Sequence, residues 1–176
     1  MKLTALLMSL ALASSAFAGT ATSFAKNAKG PVAPAPAPTC GCFGPGLSFD
    51  VGGAAIFDRG GEDALGGTVG LNYFFSRNVG ISTSYSLLAT PSEHHEFDGN
   101  LILRAPIDSL CIAPYALVGG GYSTNGTSGG NYDVGGGLDI RFSPTSCLGV
   151  FAEGAYHFAA SGTDYTTVRL GLRIPF

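Results

Sequence analysis

Four cysteines are the residues of this 176-residue chain best suited to covalent chemistry, namely Cys40, Cys42, Cys111 and Cys147. They allow three disulfide connectivities, and they can stay oxidised if the chain is exported from the cytoplasm. Cys40 and Cys42 could also bind a metal through their thiolates, but four-thiolate zinc sites usually show a different spacing. The sequence therefore favours disulfides, and it predicts neither a metal site nor a bound cofactor.

Three histidines are the next candidates for chemistry. His94 and His95 are adjacent, so their side chains point apart on a strand, and metal ligation needs further ligands at fixed geometry. With Glu96 they are expected to belong to a solvated loop. His157 is expected inside the protein, on the same strand face as Glu153. This pattern predicts no catalytic residue.

Strands are expected to position the cysteines and histidines of this region. Residues 47–176 form eight segments in which every second residue is apolar. A strand alternates its side chains between two faces, and segments of about 10–13 residues suit tilted strands that cross a membrane. The pattern predicts an all-β fold, an eight-stranded antiparallel up-and-down transmembrane β-barrel. The predicted strands are Leu47–Asp58, Ala64–Ser76, Val79–Leu88, His95–Ile107, Ile112–Thr124, Tyr132–Ser143, Leu148–Ala159 and Tyr165–Phe176.

The apolar face of this barrel is expected to contact lipid. Residues 47–176 contain no lysine, whereas a soluble barrel would present many charges to water. Aromatic residues lie near strand ends on the apolar face, where membrane barrels carry aromatic girdles. The other face is rich in glycine, serine and threonine and suits a narrow, filled lumen. The fifth strand, around Gly119–Gly121, fits either phase, and its facing stays open.

Charged residues on the luminal face must pair, because an unpaired buried charge costs several kcal/mol. Neighbouring strands make two pairs geometrically feasible, Glu153 with Arg169 and Asp50 with Arg173. Such pairs indicate a structural plug, and the alternative is a gate whose pairs switch to open a narrow pore. The predicted luminal ion network comprises Asp50, Arg104, Asp139, Arg141, Glu153, Arg169 and Arg173.

The first 46 residues differ in character from the rest. Residues 1–18 carry a positive charge at Lys2, an apolar stretch over Leu3–Ala13 and small residues at the cleavage positions Ala16 and Ala18, which indicates a signal peptide. Within residues 19–46, Pro31, Pro34, Pro36 and Pro38 alternate with valine and alanine, which predicts an extended linker without a packed core. The predicted organisation is therefore a signal peptide (1–18), a Pro/Ala-rich linker (19–46), which the resemblance described next implies to be periplasmic, and a barrel (47–176).

The stretch Pro114–Tyr122 and the ending Leu170–Phe176, after eight strands and a signal peptide, resemble the small outer-membrane β-barrel superfamily. That superfamily includes the transmembrane domain of outer-membrane protein A and the opacity-type surface proteins. The resemblance implies the outer membrane of a Gram-negative-type bacterium, with both chain ends in the periplasm. It also implies that Phe176 is part of the insertion signal read by the barrel-insertion machinery.

This orientation would place all four cysteines at the periplasmic rim. Cys111 with Cys147 is then the first choice for a disulfide, because their turns flank the same pair of strands. Cys40 and Cys42 would pair with each other or with a partner.

The outer loops would lie near residues 59–63, 89–94, 125–131 and 160–164. Acidic residues at this side indicate a solvated rim, or alternatively a site for divalent cations that bridge to lipopolysaccharide. The acids assigned to it are Asp58, Glu62, Asp63, Glu93, Glu96, Asp133 and Asp164.

The sequence as a whole predicts a non-catalytic outer-membrane barrel that contributes to envelope integrity or cell-surface contact. Lipid A deacylases of similar size use a Ser-His-acid set on the lipid face, but no matching His-x-Ser occurs here. The expected partners are outer-membrane lipid, lipopolysaccharide and the insertion machinery, and the expected state is a monomer. A net charge of −3 gives no reason to expect nucleic acid. The alternatives are a narrow pore for small solutes and a surface-binding, adhesin-type protein that uses acidic outer loops.

Overall fold

Eight β-strands account for almost all of the structure. The structure, a computed structural model, describes residues 40–58, 63–89, 94–125, 127–142, 146–160 and 162–176. The predicted signal peptide and residues 19–39 of the predicted linker lie outside these ranges. The strands are β1 (Gly46–Asp58), β2 (Ala64–Phe74), β3 (Val79–Leu88), β4 (His94–Arg104), β5 (Ile112–Asn125), β6 (Thr127–Arg141), β7 (Gly149–Ala159) and β8 (Tyr165–Pro175).

The strands close into a barrel. Each strand pairs antiparallel with its neighbour in sequence, and β1 also pairs with β8. That last seam runs from Ser48 opposite Pro175 to Asp58 opposite Tyr165. Because the barrel is closed, it has no edge strand with unpaired backbone groups. Such groups are not tolerated in the hydrocarbon core of a membrane. The predicted eight-stranded antiparallel barrel is therefore confirmed.

Two of the predicted outer loops are shorter than expected. The strands β5 and β6 pair as far as Asn125 opposite Thr127, so the predicted loop 125–131 is almost entirely strand. Its Gly-Ser-Thr composition resembles a turn, but small residues also suit crowded strand positions. In the same way, β4 already begins at His94, so the prediction that residues 94–96 form a solvated loop is wrong.

The apolar face points outward on every strand. In β5, whose facing the sequence left open, Ala113, Tyr115 and Leu117 are buried in the lumen, while Val118 is exposed. Exposed apolar side chains on all eight strands form a continuous belt that lipid must cover. Members of this belt include Val51, Val69, Leu71, Ile81, Leu101, Val134, Leu138, Val168, Leu170 and Leu172. No helix in the described ranges is long and apolar enough to cross a membrane.

The two ends of the barrel are distinguished here by their connections. The near end is where β1 begins and β8 ends, and the far end holds the connections β1–β2, β3–β4, β5–β6 and β7–β8. Alternation places most polar side chains of the strands inside the barrel, at levels that run from the near end to the far end.

Candidate functional site

Buried charges fill the near third of the lumen. Arg173 of β8 donates hydrogen bonds to both carboxylate oxygens of Asp50 on β1, at 2.8 and 2.6 Å, and a third to Asp139 Oδ2 at 2.9 Å. Arg141 also donates to Asp139 Oδ2, at 2.8 Å, and Asn72 Nδ2 donates to Asp50 Oδ2 at the same distance. These five residues are the near-end network. Each carboxylate is held by at least two donors, which offsets much of the cost of burying its charge.

Arg104 belongs to the predicted ion network, but no carboxylate of the described residues lies within ion-pair distance of it, and Asp139 acts on it only from farther away. Its guanidinium instead donates to the backbone carbonyls of Arg77, Phe43 and Gly44, at 3.0, 3.1 and 3.2 Å. It also lies 3.5 Å from the ring centroid of Phe74, a cation–π arrangement. Its role is to hold the segment before β1 against the barrel wall.

That segment closes the near end. Phe43 is 2% exposed and packs in a buried cluster with Cys40 and Ala113. Its ring lies 5.3 Å from the Arg104 guanidinium. Residues 40–46, which the sequence assigned to the linker, thus pack against the barrel end in the structure.

Two disulfides fix this segment, and their pairing differs from the prediction. Cys40 is bonded to Cys111, with Cα atoms 5.3 Å apart, and Cys42 to Cys147, at 5.2 Å. The predicted pairs Cys111–Cys147 and Cys40–Cys42 are therefore wrong. The segment before β1 passes under the barrel and lies between the β4–β5 and β6–β7 connections. Each of its cysteines consequently meets a cysteine of a different connection.

A second ion pair spans the middle of the lumen. Arg169 Nη2 lies 2.5 Å from Glu153 Oε1, as predicted from neighbouring strands, and Arg169 also hydrogen-bonds Ser84. Tyr115 donates to the other oxygen of Glu153, at 2.9 Å. Asp98 is farther away, with its Oδ2 3.7 Å from Arg169 Nη1. The guanidinium is thus bound mainly to Glu153.

A third group of polar residues occupies the far part of the lumen, and of these residues the sequence predicts only His157 to be luminal. Tyr165 donates to Glu96 Oε1 at 2.7 Å, and its ring stacks on the His157 ring with centroids 4.6 Å apart. His157 Nδ1 lies 3.4 Å from the same Glu96 oxygen. Asp98 and Asp133 are 1% and 2% exposed. These five residues are the far-end cluster.

The far-end cluster corrects the assignment of two acids. Glu96 and Asp133 were expected on a solvated outer rim, but both are buried in the lumen. The alternation of β4 itself indicates the burial of Glu96, because this residue shares the luminal face of the strand with Asp98, Asn100 and Arg104.

Charge is distributed unevenly along the described lumen. The near part holds the guanidinium groups of Arg104, Arg141 and Arg173 against two carboxylates. The rest holds a single guanidinium, Arg169, against four carboxylates, those of Glu96, Asp98, Asp133 and Glu153. An uncompensated buried charge is unfavourable, so the far part of the lumen has the chemistry to attract a cation.

The described part of the lumen is narrow beside the near-end network. A cavity bounded by Asp50, Asn72, Ser84, Glu153 and Arg169 has a volume of about 20 Å³. A space of this size holds about one water molecule. Among the described residues, the space beside the near-end network is therefore too small for a solute to pass.

Comparison with known proteins supports this architecture. No protein-family model and no curated protein matches the chain in sequence. Among solved structures, the N-terminal β-barrel domain of Pseudomonas aeruginosa OprF is similar to 76% of this chain and 98% of its own length, at 16% identity and a TM-score of 0.57.

Neisserial surface protein A gives a TM-score of 0.57 at 12% identity, over 74% of this chain and 96% of its own. The attachment invasion locus protein Ail of Yersinia pestis gives 0.51 at 16% identity, over 74% and 97%. With its lipid-facing belt and closed eight-stranded topology, the described part of this chain has the fold of the small outer-membrane β-barrels.

Proposed function

We propose that this protein is a non-catalytic, non-conducting outer-membrane barrel that contributes to the mechanical integrity of the envelope. One observation carries the proposal: the near end of the lumen is closed twice. The near-end network crosses the lumen from β1 to β6 and β8, and Phe43 is held beneath it by two disulfides. In a pore such a closure would block the passage of solutes. In a barrel that bears mechanical load it stabilises the folded structure.

Planar-bilayer recording tests the absence of conduction. Purified oxidised protein is expected to give no discrete current steps. The same recording on Asp50→Asn, which weakens the near-end network, and on protein treated with a reductant, which breaks the two disulfides, tests each closure separately. Discrete steps from the oxidised wild type would contradict the proposal and favour the narrow pore whose luminal ion pairs act as a gate.

The alternative of a surface-binding protein with acidic outer loops has less support. Two of the acids assigned to the rim, Glu96 and Asp133, are buried and cannot contact a partner outside the barrel. Binding of cells that display the wild type, compared with cells that display the triple variant Glu62→Gln/Asp63→Asn/Glu93→Gln, tests the remaining acids of the outer loops. Equal binding is expected.

Phe176 is proposed as part of the insertion signal. It follows β8 directly, is 78% exposed, and its backbone N–H donates to the carbonyl of Leu47 on β1 at 3.0 Å. It therefore stands on the lipid face at the closing seam. Phe176→Ala is expected to lower the amount of folded protein in the outer membrane in cells, while refolding in detergent proceeds as in the wild type. Equal losses in both settings would show a purely structural role.

A further inference from the structure

The far-end cluster presents three potential metal ligands to one point in the lumen. Glu96 and Asp98 are two residues apart on β4 and share its luminal face, and His157 faces them from β7. One ligand atom of each lies within 4.8 Å of the other two. All three side chains are buried, with exposures of 1%, 1% and 0%.

The structure leaves the ligand atoms of Asp98 and His157 without the hydrogen bonds that buried polar atoms require, whereas Glu96 Oε1 accepts one from Tyr165. Neither carboxylate oxygen of Asp98 has a hydrogen-bond partner among the described residues, and neither does His157 Nδ1. Buried polar atoms are nearly always paired, and an unpaired one calls for a specific explanation. The nearest cation, Arg169, lies 3.7 Å from Asp98 and is bound to Glu153 and Ser84.

The geometry of His157 suits a ligand. Its Nε2 lies 2.8 Å from Thr167 Oγ1. If Nε2 carries the proton and donates to that hydroxyl, the lone pair of Nδ1 points into the cluster. Metal-binding histidines typically use their second ring nitrogen in this way, to fix the tautomer and the ring orientation. Stacking on Tyr165 restrains the ring further.

The spacing also agrees with a shared ion. His157 Nδ1 and Glu96 Oε1 are 3.4 Å apart. Nitrogen and oxygen donors bind zinc at about 2.0–2.2 Å, so two donors in a tetrahedral site lie about 3.3–3.6 Å apart. The surrounding excess of carboxylates, including Asp133 and Glu153, adds a favourable field for a divalent cation.

We propose that Glu96, Asp98 and His157 form a binding site for a divalent transition-metal ion of the zinc type. One imidazole and two carboxylates are a borderline donor set, which favours such ions over the hard cations Ca²⁺ and Mg²⁺. The ion connects β4 to β7 across the lumen and neutralises the far-end cluster. The site lies within five residues of the far-end termini of both strands, on the side away from Phe43.

Zinc binding by untagged protein in detergent micelles tests the proposal, with equilibrium dialysis and elemental analysis as the readout. The wild type is expected to bind one Zn²⁺ per chain after removal of metal with a chelator. Asp98→Asn and His157→Gln are expected to weaken binding at least about tenfold, and Thr167→Val about 10–100-fold through loss of the support to Nε2. Asp139→Asn, the same change at a buried luminal aspartate of the near end, should leave the affinity unchanged. No saturable binding, or equal loss in Asp98→Asn and Asp139→Asn, would overturn the proposal.

A measurement on the wild type keeps the proposal testable if the variants fail to fold. X-ray absorption of the zinc-loaded protein should show one imidazole and otherwise oxygen donors. Sulfur ligation, or the absence of imidazole, would place the ion elsewhere and refute the site. Mg²⁺ at the same concentration should not displace Zn²⁺, and displacement would contradict the assigned class of ion.

Discussion

Arg173 donates two hydrogen bonds to Asp50, at 2.8 and 2.6 Å, although 123 residues separate them in the chain. The two residues also face each other in the register of β8 and β1, so the ion pair lies on the seam that closes the barrel. The last strand is thus joined to the first by buried charges as well as by backbone pairing.

Removal of Arg173 should destabilise the barrel strongly. Arg173→Met keeps much of the side-chain length but leaves Asp50 with Asn72 alone and Asp139 with Arg141 alone. Breaking a buried ion pair by deleting one partner typically costs about 3–5 kcal/mol. Urea unfolding in lipid vesicles measures the change. Arg77→Met is the control, because the Arg77–Asp108 pair is exposed and such pairs contribute about 1 kcal/mol or less. Similar losses in both variants would contradict the importance of burial.

A charge on the lipid face should cost free energy according to its depth. Leu170 lies at the middle of β8 and is exposed, so Leu170→Arg is expected to lower the free energy of unfolding by about 2–4 kcal/mol. Leu65→Arg makes the same change near the far end of β2, where the cost should fall to about 0–1 kcal/mol. Vesicle-based urea titration compares them. Equal tolerance of both substitutions would undo the assignment of this face to lipid.

The disulfide pairing can be tested by tryptic mapping without reductant. Cleavage places Cys40 and Cys42 on one peptide and Cys111 and Cys147 on two others. The pairing in the structure therefore yields a single species of three linked peptides that separates on reduction. A two-peptide species that links Cys111 to Cys147 would instead restore the pairing predicted from the sequence. The cleavage sites concerned are Lys29, Arg59, Arg104, Arg141 and Arg169.

Fragmentation of the three-peptide species assigns the individual bonds. The double variant Cys40→Ser/Cys111→Ser should keep one disulfide, between Cys42 and Cys147. Loss of one bridge is expected to cost about 2–4 kcal/mol, because each closes a long chain segment. A double variant that retains two free thiols under oxidising conditions would contradict the assignment.

Two glycines on adjacent strands should respond oppositely to alanine. A Cβ at Gly119, on the luminal face of β5, would lie closer than 3.0 Å to the backbone of Gly99 and Asn100. A Cβ at Gly99, on the outer face of β4, meets nothing nearer than 4.0 Å. Gly119→Ala should therefore destabilise the barrel by about 1–3 kcal/mol through overpacking, and Gly99→Ala should be neutral or slightly stabilising. Heat-dependent gel migration ranks the two, and equal midpoints would refute the close approach.

The sequence predicts which side chains point into the lumen better than it predicts which of them lie at the same level along the barrel axis. Strict alternation in β6 and β8 shows which residues point inward, and neighbouring strands suffice to predict that Glu153 meets Arg169. The far-end cluster requires more, because β4 and β7 are not neighbours. Strand tilt and stagger decide which of their residues share a level in the lumen, and local sequence does not encode that stagger. The cysteine pairing was missed for a similar reason, since it depends on the path of residues 40–46 beneath the barrel.

The two disulfides also have a topological consequence. The Cys42–Cys147 bond encloses β1 to β6 in one covalent ring, and the Cys40–Cys111 bond subdivides that ring. The strands β7 and β8 remain outside it. A force that pulls the barrel apart within the membrane plane is therefore resisted by a covalent ring around β1 to β6. No disulfide described here crosses the junction of β8 with β1. Lateral opening would begin at that junction, where the buried ion pair of Arg173 with Asp50 must be broken.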